Sequence, residues 1–209
     1  MERLNTIVDT VVIRYFLLVE EEDLLLNLLG QAVAVPRVIY DPEEDNDVPE
    51  LARSEITRSI ATQQRNSRDL ARDREIRVQA ERNATRLLSI HRLHADSLVI
   101  VLDLTEEELR IVSSLTSPSG CQAFGLKFPL GAGEAACLAI AVSRNYVLAT
   151  DDNDALKALA SMNSSYPYIR IRRMLIDAFE KGLIAKDEAN RIHSEMRRLG
   201  FRDSVPPFE

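Results

Sequence analysis

Only two cysteines occur in 209 residues, Cys121 and Cys137, and they stand in unrelated contexts. They offer neither a metal-ligand spacing nor a disulfide framework, so a reducing compartment is expected. Two inert thiols are the plain reading. Long apolar runs are missing as well. None approaches the roughly 20 residues that span a bilayer, and no membrane association is expected. The opening Met1 to Asn5 leads directly into a strand-like segment, without the basic, apolar, small-residue order of a signal peptide, so the expected location is cytoplasmic. Glycine numbers seven. Gly131 and Gly133 lack the rest of a Walker or dinucleotide loop, which sets nucleotide hydrolysis and NAD chemistry aside. No Ser/His/Asp or Cys/His set can be assembled. Positive charge is not in excess either: the net charge of −7 argues against non-specific nucleic-acid binding by the whole surface.

What is present has the balance of an ordinary globular chain, 45% hydrophobic and 28% charged. The length suits one domain with a substantial core and an inserted subdomain. Strand-like segments at Leu4 to Val8, Ala32 to Val35, Leu98 to Leu102 and Tyr146 to Ala149, with a short one at Tyr168 to Ile171, alternate with helix-like segments. That alternation predicts an α/β fold with a central parallel sheet. Glu20 to Asp23 opens a helix that Gly30 stops. Thr105 and Glu108 have the spacing of a capping box. Two further helices, broken at Gly182, fill about 174–200.

About 49–95 forms a helical insertion, read as a long helix or a hairpin that projects from the body or packs on a partner. It is the basic part of an acidic chain. Between Leu51 and Ala95, ten arginines (Arg53, Arg58, Arg65, Arg68, Arg72, Arg74, Arg77, Arg82, Arg86, Arg92) outnumber five acids (Glu55, Asp69, Asp73, Glu75, Glu81). One reading is an arm that lays Arg65, Arg68, Arg72 and Arg77 on RNA phosphates. The other is a salt-bridge-laced helix or a docking face for a protein, favoured by alternating signs such as Arg72, Asp73, Arg74, Glu75. His91 and His94 could share a helix face, but no further metal ligands accompany them. Lys127 is an ordinary exposed lysine or a substrate contact.

The informative residues are acids at the ends of strands or the heads of helices. Asp9 follows the first strand, Glu134 follows Gly133, and Asp151, Asp152 and Asp154 follow the fourth strand. In open α/β sheets ligands bind at the carboxyl ends of the strands. Carboxylates gathered there repel one another unless a cation holds them, and a hard divalent metal is the simplest reason to collect them. The chemistry this suggests is metal-assisted phosphodiester hydrolysis. Each acid also has a plainer reading: Asp9 as a helix N-cap, Glu134 as a first-turn acid, and Thr150 to Asn153 as a turn with a cap.

Val8 to Tyr15 resembles the opening of PIN-domain nucleases, and Ala34 to Pro36 resembles their second strand. Gly131 to Ala141 is similar to the third acidic motif in the Gly-Glu-Ala branch, and Val147 to Asp154 to the fourth. Phe179 to Ala185 with Met196 to Phe201 resembles the tail of a VapC-type, toxin-like subfamily. The resemblance covers about residues 4–40 and 97–202 and skips the Arg-rich insertion. It implies a single PIN-like three-layer α/β domain over 1–209, acting as a Mg²⁺- or Mn²⁺-dependent endoribonuclease. RNA as substrate, an antitoxin protein and a homo-oligomer are the implied partners. The implied metal residues are Asp9, Glu134, Asp151 and Asp152, with Thr10 near a metal water or a phosphate oxygen. The family's second acid follows the second strand, at a position that is Pro42 here. Glu43 is taken for that role, with Asp41 as the alternative. A catalytically weak binding or assembly module and a DNA-directed nuclease are the rival readings.

Overall fold

The computed structural model describes residues 5–44, 49, 52–69 and 74–208. Five strands make one all-parallel sheet: β1 (Thr6–Val8), β2 (Val33–Pro36), β3 (Val99–Leu102), β4 (Val147–Ala149) and β5 (Tyr168–Ile169), in the order β3-β2-β1-β4-β5. Chain direction across the sheet therefore reverses between β1 and β4. The crevice outside the carboxyl ends of those two strands is the switch point where ligands bind in open α/β sheets. The register sets Val8 beside Ala149. The next residues, Asp9 and Thr150, therefore leave the sheet side by side.

Ten helices are described: α1 (Thr10–Leu18), α2 (Glu22–Leu29), α3 (Glu55–Asp69), α4 (Arg74–Leu87), α5 (Ser89–Ala95), α6 (Glu106–Thr116), α7 (Ala132–Arg144), α8 (Asn153–Met162), α9 (Ile171–Glu180) and α10 (Lys186–Arg198). α7 lies on β1, β2 and β4, and its small residues Ala135, Ala136, Ala139 and Ala141 are fully buried. Alanine has the best helix propensity and leaves room for close approach to the sheet. Gly30 ends α2 with φ 108°, as expected of a stop in the left-handed region. No described helix is long and apolar enough to cross a membrane.

The insertion departs from its expected projection. α3 and α4 pack on each other and both touch α1. Ile56, Ile60, Leu87, Ile90 and Leu93 join the core. Ile56 and Ile60 lie one helical turn apart, so a sparse apolar stripe still suffices to dock α3. Arg86 ties α4 to α1 by donating to the Leu18 carbonyl at 2.7 Å and pairing with Glu20 at 2.6 Å. Arg72 lies outside the described residues.

The capping box at Thr105 is complete: Glu108 N–H donates to Thr105 Oγ1 at 3.3 Å, and Thr105 N–H donates to Glu108 Oε2 at 2.8 Å. Glu108 is also 1% exposed and takes a two-pronged Arg144 pair, with both bonds at 2.7 Å. That pair fixes the end of α7 to the start of α6 and holds the Glu108 carboxyl below its usual range. Its stabilisation is present above the ordinary glutamate pKa and is lost as pH falls through the lowered one. Glu108→Ala removes the buried partner of a part-exposed pair and is expected to cost about 2 kcal/mol in urea unfolding at neutral pH. The deficit should shrink in acid.

Candidate metal centre

Asp9 occupies the N-cap position of α1, but its side chain makes no cap bond. The plain reading of Asp9 as a helix cap therefore fails. Its backbone N–H donates to Ala149 O at 3.0 Å, which extends the β1–β4 ladder by one residue. Its side chain is 0% exposed. Thr150 Oγ1 donates to Oδ2 at 2.7 Å, and Oδ1 is buried without a partner. Thr150 Oγ1 in turn accepts Asp152 N–H at 3.1 Å, so one hydroxyl couples the loops after β1 and β4. Burial, offset in part by Thr150 and reinforced by the charges of Glu134 and Glu55, raises the Asp9 pKa to about 7.

Glu134 lies in the first turn of α7, as expected. Burial raises its carboxyl, and Glu55 and Asp152 add to the rise by repulsion. A side chain at Gly131 would run into the Glu134 carboxylate. Asp152 is both a member of this electrostatic group and the N-cap of α8, accepting Ala155 N–H at 2.7 Å. Its plain reading is therefore also correct.

A further acid acting on Asp9 and Glu134 is Glu55, which sequence reasoning missed. It stands at the first position of α3, with its backbone N–H on Val38 O at 3.0 Å, while Ile56 N–H donates to Ile39 O at 2.9 Å. Those two bonds bring the head of α3 back to the segment just past β2. Gly133 N–H donates to Glu55 Oε1 at 3.1 Å, and Thr10 Oγ1 donates to Oε2. A Cβ on Gly133 would lie 2.6 Å from Glu55 Oε2, so the glycine is what admits the carboxylate. Glu55 thus touches the helix carrying Glu134 and the residue following Asp9.

Glu43 and Asp41 do other work. Asp41 pairs with Arg37 at 2.7 Å, and Glu43, 82% exposed at its side chain, reaches the same arginine at 3.5 Å. Their neighbour Glu44 accepts from the N–H and hydroxyl of Ser54 at 2.8 and 3.0 Å, which secures the residue before Glu55. Glu43, expected as the second acid, is thus not brought to Asp9 and Glu134: the acidic turn braces the loop, and Glu55, beyond that turn, is the acid that bonds Thr10 and Gly133. Asp151 also faces elsewhere, accepting Ile171 N–H at 2.9 Å at the head of α9. Burial raises it to about 6. Asp154 is exposed. His91 meets the Tyr40 hydroxyl at 2.8 Å and His94 meets Val99 O at 3.0 Å, so both histidines serve packing. Cys137 is buried with its thiol on Val8 O at 3.6 Å, and burial pushes its pKa well up, consistent with an inert thiol.

Two clefts border the acids. One, about 490 Å³, is lined by Thr10, Arg14, Glu55, Arg58 and Glu134 among others. The other, about 560 Å³, is lined by Arg14, Asp151, Asp152, Arg170 and Arg202 among others. Arg65, Arg68 and Arg77 line neither; Arg65 and Arg68 are exposed along α3, and Arg77 approaches Glu81 at 3.8 Å. Lys127 is exposed and lies over the Phe128 ring.

Comparison with protein-family models, curated proteins and solved structures finds no match. What the site can do therefore rests on its own chemistry. Among the described residues, no three His, Cys, Asp or Glu side chains are drawn up as a ready-made cation cage. Asp9 offers one buried, unpartnered carboxylate oxygen; Glu134 and Glu55 act on Asp9 by their charge, and Asp152 acts on Glu134. This fits Mg²⁺ or Mn²⁺ better than a soft metal: all the donors are oxygen, and Mg²⁺ keeps several waters and takes only one or two carboxylates directly.

Proposed function

We propose that the protein is a PIN-like, Mg²⁺- or Mn²⁺-dependent nuclease that hydrolyses phosphodiesters of single-stranded RNA. The observation that carries this reading is Asp9: a fully buried carboxyl, with an orphaned oxygen, placed at the sheet's switch point among three further acids. A carboxylate cluster of that kind raises its own pKa values and is unfavourable without a cation. Asp9, Asp152, Glu134 and Glu55 would hold the metal, which when bound supplies neutralisation of the phosphoryl charge and a water of lowered pKa.

The chain's own residues set the rest. Thr150 holds Asp9 through Oδ2 and leaves Oδ1 buried without a partner. Thr10 and Gly133 fix both oxygens of Glu55. Glu134, whose carboxyl pKa is raised by burial, would take the proton of an attacking water if it is not itself bound to the metal. The resemblance of Val8 to Tyr15, Gly131 to Ala141 and Val147 to Asp154 to PIN motifs supports the same assignment, and a toxin–antitoxin setting rests on that resemblance alone.

A second reading, a catalytically weak PIN-like binding module, draws on the structural duties of the same acids: Asp152 caps α8, and Glu55 is a bridge between α1 and α7. One assay separates the two. Purified protein is expected to cut a labelled single-stranded RNA internally with Mg²⁺ or Mn²⁺ and to stop with EDTA. RNA binding without cleavage in either metal supports the module, and cleavage confined to DNA supports a DNA-directed nuclease.

A further inference from the structure

Arg14 lies one turn along α1 from Thr10, and Arg58 lies one turn along α3 from Glu55. The i, i+4 and i, i+3 spacings put each arginine on the helix face of the group that precedes it. Both therefore line the cleft that holds Glu55 and Glu134. Each has a buried Nε with no hydrogen-bond partner. Among the described residues, Arg14 makes no ion pair; its guanidinium stands 5.0 Å over the Tyr15 ring. This is uncommon for a half-buried guanidinium, because a desolvated cation without a partner is costly and is normally paired. The nearby acids do not take it up, although they belong to the same cleft.

Arg14 is also common to both clefts. The second cleft is also lined by Asp152, Arg202 and Arg170, the last of which donates to Asn153 Oδ1. Any extended ligand that reaches the acids from both clefts must cross Arg14. The ligand that suits such a line is a chain of anions at regular intervals, with guanidinium forks on the phosphates either side of the one held at the acids. A protein of net charge −7 cannot attract that chain by its general field, so the attraction has to be local.

Resting on the nuclease reading above, we propose that Arg14 is the central phosphate contact of an RNA track running from Arg58 across the acids to Arg170 and Arg202. The exposed Arg65 and Arg68 of the insertion lie outside it. The track places the substrate-binding arginines on the α/β body and the first turns of α3.

The experiment is a titration of a labelled single-stranded RNA in EDTA, where no cleavage competes, at several salt concentrations. Arg14→Gln is expected to weaken binding about tenfold, the effect of losing one charge-assisted contact. It should also flatten the slope of log K against log salt by about 0.7. Arg14→Lys should recover part of the affinity, since it keeps the charge and loses the fork. Arg202→Gln, at an exposed side chain that cannot disturb the core, should shift binding and slope in the same direction. The double variant R65Q/R68Q should bind as wild type. Wild-type affinity in both R14Q and R202Q, or a loss in R65Q/R68Q that matches R14Q, overturns the track. So does a wild-type chain that binds no RNA. RNA held through Arg14 but never cut in Mg²⁺ or Mn²⁺ keeps the track and removes the nuclease; RNA cut as well by R14Q as by wild type removes the track and keeps the nuclease.

Discussion

Replacing Asp9 by asparagine is expected to abolish RNA cleavage, by at least about 10³-fold or about 4 kcal/mol of transition-state stabilisation, and to make the metal-free protein more stable at pH 8. The two effects share one cause. Asp9 is fully buried, and its pKa rises from 3.8 to about 7. The folded state thus holds this proton more tightly than the unfolded chain does. Stability associated with the protonated carboxyl is fully present below 3.8 and is lost as pH rises through 7. Above that, the charged form carries a cost on the order of 4 kcal/mol. Asparagine keeps the shape and the Thr150 contact without the charge. Its melting temperature should therefore exceed that of wild type at pH 8, and the gap should close toward pH 4.

Mg²⁺ sharpens the comparison. At about a hundred times its dissociation constant it should stabilise wild type by about 2.7 kcal/mol and leave Asp9→Asn nearly unmoved. Differential scanning fluorimetry across pH, with and without Mg²⁺, reads all four conditions. A variant that melts below wild type at pH 8, with a full Mg²⁺ response, contradicts the assignment of Asp9 as the anchor of the centre.

The second large effect falls on Glu55 and its glycine. Glu55→Gln should lower the cleavage rate about 100-fold, while Glu43→Gln, at an exposed side chain paired only at 3.5 Å, should stay within about twofold of wild type. Gly133→Ala is the more discriminating change. Gly133 is in the first turn of α7, where alanine favours the helix by up to about 1 kcal/mol. Yet the added Cβ would stand 2.6 Å from Glu55 Oε2. The obstacle is the end of a flexible side chain, so the chain can fold and Glu55 must move. The expected outcome is a melting temperature close to wild type with activity reduced about as far as in E55Q. Full activity in G133A would show that the Glu55 position is immaterial.

These residues also mark how far the amino-acid sequence can be read. Asp9, Glu134 and Asp152 were legible because each follows a strand-like run or heads a helix-like run, and a parallel sheet brings such positions to one edge. The sheet itself and the capping box at Thr105 were legible for the same reason: they are written in local periodicity and spacing. Glu55 was not. It lies beyond the acidic turn of Asp41 to Glu44, inside a segment that reads as a surface helix, and a first-turn glutamate looks like any dipole-favoured acid. What places it at the end of β2 is a pair of backbone bonds to Val38 and Ile39, which leave no trace in composition. The trace that does exist is indirect: Gly131 and Gly133, spaced by one residue before Glu134, are both needed to make room for carboxylates. The docking of α3 and α4 was obscured because Ile56, Ile60 and Leu87 are few and are set among arginines.

The hairpin of α3 and α4 has one more consequence. Since Glu55 enters from the root of that hairpin, the four candidate acids are divided between two parts of the chain that must seat against each other. Trimming the excursion to leave a minimal sheet-and-helix body would not yield a smaller version of the same site. It would yield three acids and a gap, and whatever loosens the hairpin's grip on α1 also loosens Glu55.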